Sequence, residues 1–269
     1  MKVIQTILNL FFLAGTILLL ILLILSSSTK ISPINQIYWL KADTSSIENA
    51  FSQSQWGFWG VCDSGNLSDC ITGPAFPLSP QDNFETNENV PQDFIDNRNT
   101  YFYLSRFAFA FGLIAFALAS LTFVISIFGL CFLVVDKVTA FIVTLATFFL
   151  AGFAAFQTAV VILARNAFRD QNLYVHVPTI SMAFLWASLV CILIVWVNTI
   201  GANITNSWKK HMSNVQDHDQ QMYQNPQQVP INDQSSFTRE APPKDEDTTG
   251  GIRFFKIKRN QKVNDDESV

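Results

Sequence analysis

Four stretches of this chain carry no charged side chain, and each is long enough to cross a bilayer. Lys2 to Lys30 encloses 27 uncharged residues, Arg106 to Asp136 encloses 29, Lys137 to Arg165 encloses 27 and Asp170 to Lys209 encloses 38. A hydrocarbon core about 30 Å thick needs about 20 consecutive apolar helical residues. Inside it every backbone N–H and C=O must find a partner, which leaves helices as the form for runs of this length. The sequence predicts an all-α membrane domain over residues 1–201, a bundle of four transmembrane helices near 3–25, 107–135, 138–164 and 179–201. Only 14% of the residues are charged, and the loops and tail hold them, so the net charge of −4 says little about partners. Nothing in the sequence points to nucleic acid.

The first run exceeds the roughly 7–15 apolar residues of a secretory signal, so Val3–Leu25 reads as a retained anchor. Gln5 and Asn9 within it suit contacts between helices better than ligand binding. The second run, Phe107–Val135, would be about 43 Å long as a helix and is expected to tilt or project outward. Asp136-Lys137 reads as a very short turn, making runs two and three antiparallel neighbours. In the third run Ala151, Ala155 and Ala159 recur every four residues beside Gly152, a pattern that permits close helix approach. Gln157 on that helix could bond across it. Cys131 and Cys191 read as buried small apolar residues.

Residues 26–103 form a long polar loop. Within it, Gln55-Trp56-Gly57-Phe58-Trp59-Gly60-Val61-Cys62 and then Cys70 bring two of six Trp and two of four Cys into a short polar stretch. Aromatic side chains of this size need a surface to pack on. The Cys62–Cys70 spacing suits a bridge across a short hairpin and lacks the second Cys or His pair that zinc would need. Ile31–Lys41, Gln55–Asp63 and Leu67–Thr72 read as strands, with Asp63-Ser64-Gly65-Asn66 as turn chemistry. Asn66-Leu67-Ser68 is a glycosylation sequon at the hairpin tip. Tyr101-Phe102-Tyr103 resembles an interfacial aromatic belt. Arg106, just inside, must snorkel or pair, and is expected to cap the outer end of the bundle. His176, in the short second loop, has no metal partner and reads as a surface residue.

Residues 202–269 are rich in Gln, Asn and Asp and are expected to form a disordered cytosolic tail. Near its end, Arg253, Phe254, Phe255, Lys256, Lys258 and Arg259 alternate basic and aromatic character, which suits an anionic inner leaflet. Lys and Arg counts at the span ends do not decide orientation. The cysteine pair and the sequon do: both place residues 26–103 outside, and four spans then put both termini in the cytosol.

Gly57-Phe58-Trp59-Gly60-Val61-Cys62 with Cys70 resembles the first-loop signature of the claudin superfamily, in which Trp56, Gly57, Trp59 and Arg106 read as structural motif positions. The chain is most similar to the fungal SUR/PalI family of eisosome tetraspan proteins. That similarity includes Tyr38-Trp39, Ser79-Pro80-Gln81-Asp82-Asn83-Phe84, Tyr101 to Arg106, Asn166-Ala167-Phe168 and Gly251 to Ile257. The resemblance implies a claudin-like bundle with a small disulfide-bonded extracellular β-sheet. It also implies residence in static plasma-membrane patches, anionic or sphingolipid-rich, beneath which BAR-domain scaffolds assemble, with self-association among the expectations. Patch organisation, cell-wall integrity, endocytosis and sphingolipid balance are the roles it carries.

The residues themselves supply no Ser/His/Asp set, paired carboxylates, metal cluster or phosphate loop, so neither an enzyme nor a cofactor is expected. The spans lack ionisable groups apart from Arg106 at an edge, which argues against a transporter. A structural component of membrane domains is the leading reading. An accessory of an ambient-pH signalling complex, as in PalI, is the alternative, and a channel or transporter ranks third.

Overall fold

The computed structural model describes residues 2–26, 34–128 and 135–224. Four long helices carry the apolar runs: α1 (Lys2–Ile24), α4 (Arg98–Phe128), α5 (Val135–Asp170) and α6 (Thr179–Gln224). Each is long and apolar enough to span a membrane. Their outward surfaces bear large apolar side chains, among them Phe11, Phe148 and Val197, at 72%, 64% and 58% exposure. Such a surface suits hydrocarbon and not water. Between α1 and α4 lie β1 (Leu40–Asp43), β2 (Gln53–Trp56), β3 (Gly60–Asp63), β4 (Cys70–Thr72) and two single-turn helices, α2 (Pro80–Phe84) and α3 (Gln92–Asp96). Strand β5 (Val175–His176) follows α5. Residues Met1–Asp217 make one compact unit, and His218–Val269 make a second, described only as far as Gln224.

The closest helix pair is α4 with α5, and glycine makes it possible. A Cβ on Gly152 would lie 2.5 Å from the Phe111 ring, and one on Gly112 would lie 3.4 Å from Phe153. Each glycine thus receives the other helix's phenylalanine, the close approach that small residues allow where lipid supplies no hydrophobic drive. The expectation for Ala151, Ala155 and Ala159 is corrected here: all three are exposed, on the face of α5 turned away from the bundle. Only Gly152 of that set serves the packing. Gln157 is buried, but its Oε1 accepts no hydrogen bond, so the expected bond across the helices is not made.

At the end of the bundle opposite the sheet, polar side chains join α1 to α6. Gln5 Nε2 donates to the Asn198 carbonyl at 2.8 Å, Asn198 Nδ2 to Asn9 Oδ1 at 3.3 Å, and Asn9 Nδ2 to Thr199 Oγ1 at 3.4 Å. Gln5 and Asn9 therefore act as helix-contact groups. In α5, Thr144 Oγ1 accepts the Trp196 indole N–H of α6 at 3.0 Å.

Several boundaries differ from those the sequence suggests. Helix α4 begins at Arg98, nine residues before the apolar run, because nothing in Arg98–Arg106 breaks a helix and Tyr101 and Ser105 are buried. Helix α5 already includes Asp136-Lys137, so those residues are not the turn; charge marks where a run leaves lipid, not where backbone hydrogen bonding stops. Helix α6 continues through residues 202–224, which the composition had assigned to irregular tail. Gln, Asn, Lys and Met lack periodicity there but do not forbid a helix. Cys131 and the basic-aromatic group Arg253 to Arg259 lie outside the described residues, while Cys191 is a free, half-buried thiol.

Candidate functional site

The sheet is antiparallel throughout, in the order β4-β3-β2-β1-β5. Strand β1 begins at Leu40, after a 3-10 turn at Ile34–Gln36, so most of the expected strand Ile31–Lys41 is absent from the described part of it. The expected single strand Gln55–Asp63 is a hairpin. Trp56 pairs with Val61, and Gly57 N–H donates to the Gly60 carbonyl at 2.9 Å, so Gly57-Phe58-Trp59 form the turn. At Gly60 a Cβ would collide with the Ile71 carbonyl oxygen of β4, so only glycine permits that strand spacing. Strand β5 comes from the second loop and pairs Lys41 with His176. A two-residue strand in a short loop has no alternation to read, so the sequence concealed this edge.

Cys62 and Cys70 are register partners on β3 and β4 and form a disulfide. Asn66 is exposed in the turn between those strands, and its Oδ1 accepts the Ser68 N–H at 3.2 Å.

The three motif aromatics bind the sheet to the bundle in different ways. Trp56 is buried against Phe168 of α5 and Phe84 of α2, with ring centroids 5.9 and 6.3 Å apart. Its indole N–H donates to Asn83 Oδ1 at 2.8 Å, and Asn83 Nδ2 donates to the Pro77 carbonyl at 3.1 Å. Phe58 lies between Trp39 at 4.9 Å, Phe109 at 5.4 Å and Phe153 at 5.9 Å. Trp59 stands edge-on to Phe109, and its N–H donates at 2.7 Å to the carbonyl of Ile24, the last residue of α1. Helix ends leave such carbonyls without intrahelical partners, so Trp59 caps α1 with a side chain from the sheet. Apolar faces and single polar tips explain why this short stretch holds so many aromatics.

Asn83 was not singled out by sequence, although its position before Phe84 in a Ser-Pro-initiated turn is visible there. Missed too was the Tyr101 hydroxyl, which donates to Asp93 Oδ2, with the Tyr101 ring 4.4 Å from Phe94. On β1, the Ser45 backbone N–H and hydroxyl hold the Asp43 carboxyl below its usual value. Burial, and then Tyr174, raise the Tyr38 phenol. His176 is exposed, and its Nδ1 lies 3.0 Å from the Tyr38 hydroxyl.

Arg106 is exposed on α4, its guanidinium carbon 4.0 Å from the Phe102 ring centroid. Arg98 lies over the same ring at 5.2 Å and is ion-paired with Asp82, its Nε donating at 3.0 Å. Beside that pair opens a polar hollow of about 630 Å³, lined by Gln81, Asp82, Glu85, Thr86, Asn87 and Arg98. Arg106 lies between the buried residues Ser105 and Ala108, but its own side chain is on the exposed face of α4 and does not enter the bundle.

A family model described as SUR7/PalI family matches residues 5–198, which take in nearly all of α1, the sheet, α4, α5 and the first part of α6. The chain belongs to the SUR7/PalI family. It is 57% identical to Protein SUR7 of Candida albicans, over 100% of both chains. It is 37% identical to Protein SUR7 of Saccharomyces cerevisiae, covering 68% of this chain and 62% of that one. A third relative, named an uncharacterized plasma membrane protein of S. cerevisiae, is 30% identical over 69% of this chain and 64% of its own. The SUR7/PalI match takes in Trp39, Trp56, Trp59, Cys62, Cys70, Arg98 and Arg106 and ends at Asn198, where α6 meets α1.

Proposed function

We propose that this SUR7/PalI protein is a multi-pass plasma-membrane component that organises static, eisosome-associated membrane domains without catalysis. The observation that carries this reading is full-length similarity to Protein SUR7 of C. albicans. Support comes from the architecture: a bundle with exposed apolar sides, and a sheet that is cross-linked within itself by a disulfide and tied to the bundle by buried aromatics. Such a body suits lateral organisation of a membrane, with contributions to cell-wall integrity and endocytosis following from patch stability.

In this reading the sheet faces outward, where a disulfide persists and Asn66 can be glycosylated, and both termini are cytosolic. The tail residues Arg253, Phe254, Phe255, Lys256, Lys258 and Arg259 contact anionic inner-leaflet lipid, and a BAR-domain cortical scaffold lies beneath. Replacing the four basic residues with Gln then raises lateral mobility; unchanged photobleaching recovery would remove that contact from the account. The overall reading is tested by imaging a tagged copy beside a BAR-domain scaffold marker. Coincident, immobile patches are expected, and an even surface distribution would reject it.

A further inference from the structure

We infer that Arg106 binds the phosphate of a membrane lipid, in the leaflet at the sheet end of the bundle, with Phe102 as the platform beneath its guanidinium. Arg98, Phe102 and Arg106 are spaced by four residues on α4 and so share one helix face. Both guanidinium groups lie over the one ring, but their charges are treated differently. Arg98 gives its Nε and Nη2 to Asp82. Arg106 forms no ion pair with any described carboxylate; the acidic residues of 225–269 lie at the cytosolic side in the function proposed above, on which this inference rests.

The depth of Arg106 supplies the second argument. Arg106 is the last charged residue before the uncharged stretch from Phe107 to Val135, which is longer than the about 20 residues that a hydrocarbon core needs. Arg106 therefore stands at the edge of the hydrocarbon, at the level of lipid phosphates. Its exposed neighbours Tyr103 and Phe107, at 54% and 56%, flank it with the aromatic and apolar surface expected at that border. An unpaired cation there is costly, so its anion must come from the bilayer or from another molecule. The guanidinium lies over the Phe102 ring, and its planar fork of donors matches two phosphate oxygens. A carboxylate on a partner protein could occupy the same fork, but it would have to enter an apolar collar at headgroup depth, where phosphate is abundant.

The test is native mass spectrometry of the purified full chain in detergent, titrated with phosphatidylglycerol or with diacylglycerol of the same acyl chains. Wild type is expected to hold phosphatidylglycerol about tenfold or more tighter, the value of a charge-assisted hydrogen bond. Arg106→Gln should abolish that preference and Arg98→Gln should keep it. Arg106→Lys, which retains charge but not the fork, should weaken it. Millimolar inorganic phosphate should not displace the lipid. Equal binding of the two lipids by wild type would overturn the inference without recourse to any variant. So would a preference retained in Arg106→Gln, unchanged in Arg106→Lys, lost in Arg98→Gln, or competed away by free phosphate.

Discussion

Removing the side chain of Asn83 should loosen the whole sheet from the bundle, although Asn83 belongs to neither. Its Oδ1 accepts the N–H of Trp56, which is 1% exposed, and its Nδ2 donates to the buried Pro77 carbonyl. Asn83→Leu keeps the branching of the side chain but strands both partners. A buried polar group left unpaired costs about 1–3 kcal/mol, so the loss should be about 2–6 kcal/mol. Trp56→Phe strands only Asn83 Oδ1 and trims ring contact with Phe84 and Phe168. The double variant Trp56→Phe/Asn83→Leu loses the indole donor and its acceptor together, so it should be more stable than the sum of the singles by about 2 kcal/mol or more. Equilibrium unfolding in mixed detergent and dodecyl sulfate micelles measures all four corners of this cycle. A coupling below about 0.5 kcal/mol, the usual additivity error, would refute the claim that this hydrogen bond anchors Trp56.

Reduction of Cys62–Cys70, or Cys62→Ala, should cost about 2.5 kcal/mol in the chain-entropy treatment of a loop this short, read as a lower unfolding midpoint; an unchanged midpoint counts against the clamp. Gly152→Val should destabilise by about 1–3 kcal/mol because it meets the Phe111 ring, whereas Ala155→Val on the outward face of α5 should be nearly silent, and equal effects would contradict the packing. Asp43 is held below its unfolded value by Ser45, so its contribution to stability is present above the unfolded carboxylate pKa and is lost as pH falls through the folded one. Asp43→Asn should therefore flatten the acid limb of stability against pH, and a limb identical to wild type would remove Asp43 from it.

What sequence could reveal here follows from the kind of signal each feature leaves. The membrane helices were legible because lipid excludes charge, and Arg106, Asp136, Lys137 and Arg165 bracket runs of a length only helices satisfy. Helix ends were not, since Arg98–Arg106 and residues 202–224 are polar yet compatible with a helix. The Cys62–Cys70 bridge was legible from spacing within one loop. The hairpin at Gly57–Trp59 was hidden because its turn residues are large aromatics, placed there by Phe109, Phe153 and the Ile24 carbonyl, all remote in sequence. Direction on a helix was lost for the same reason. The Ala151, Ala155 and Ala159 repeat looks like an interface, and only the positions of Phe111 and Phe153 reveal that Gly152 and Gly112 make it.

The most direct test of the central claim is two-colour photobleaching of a fluorescently tagged full-length chain beside a BAR-domain scaffold marker in living cells. The account predicts discrete plasma-membrane patches that coincide with the scaffold and recover slowly after bleaching. Uniform, rapidly recovering surface fluorescence, with the scaffold still in patches, would contradict it.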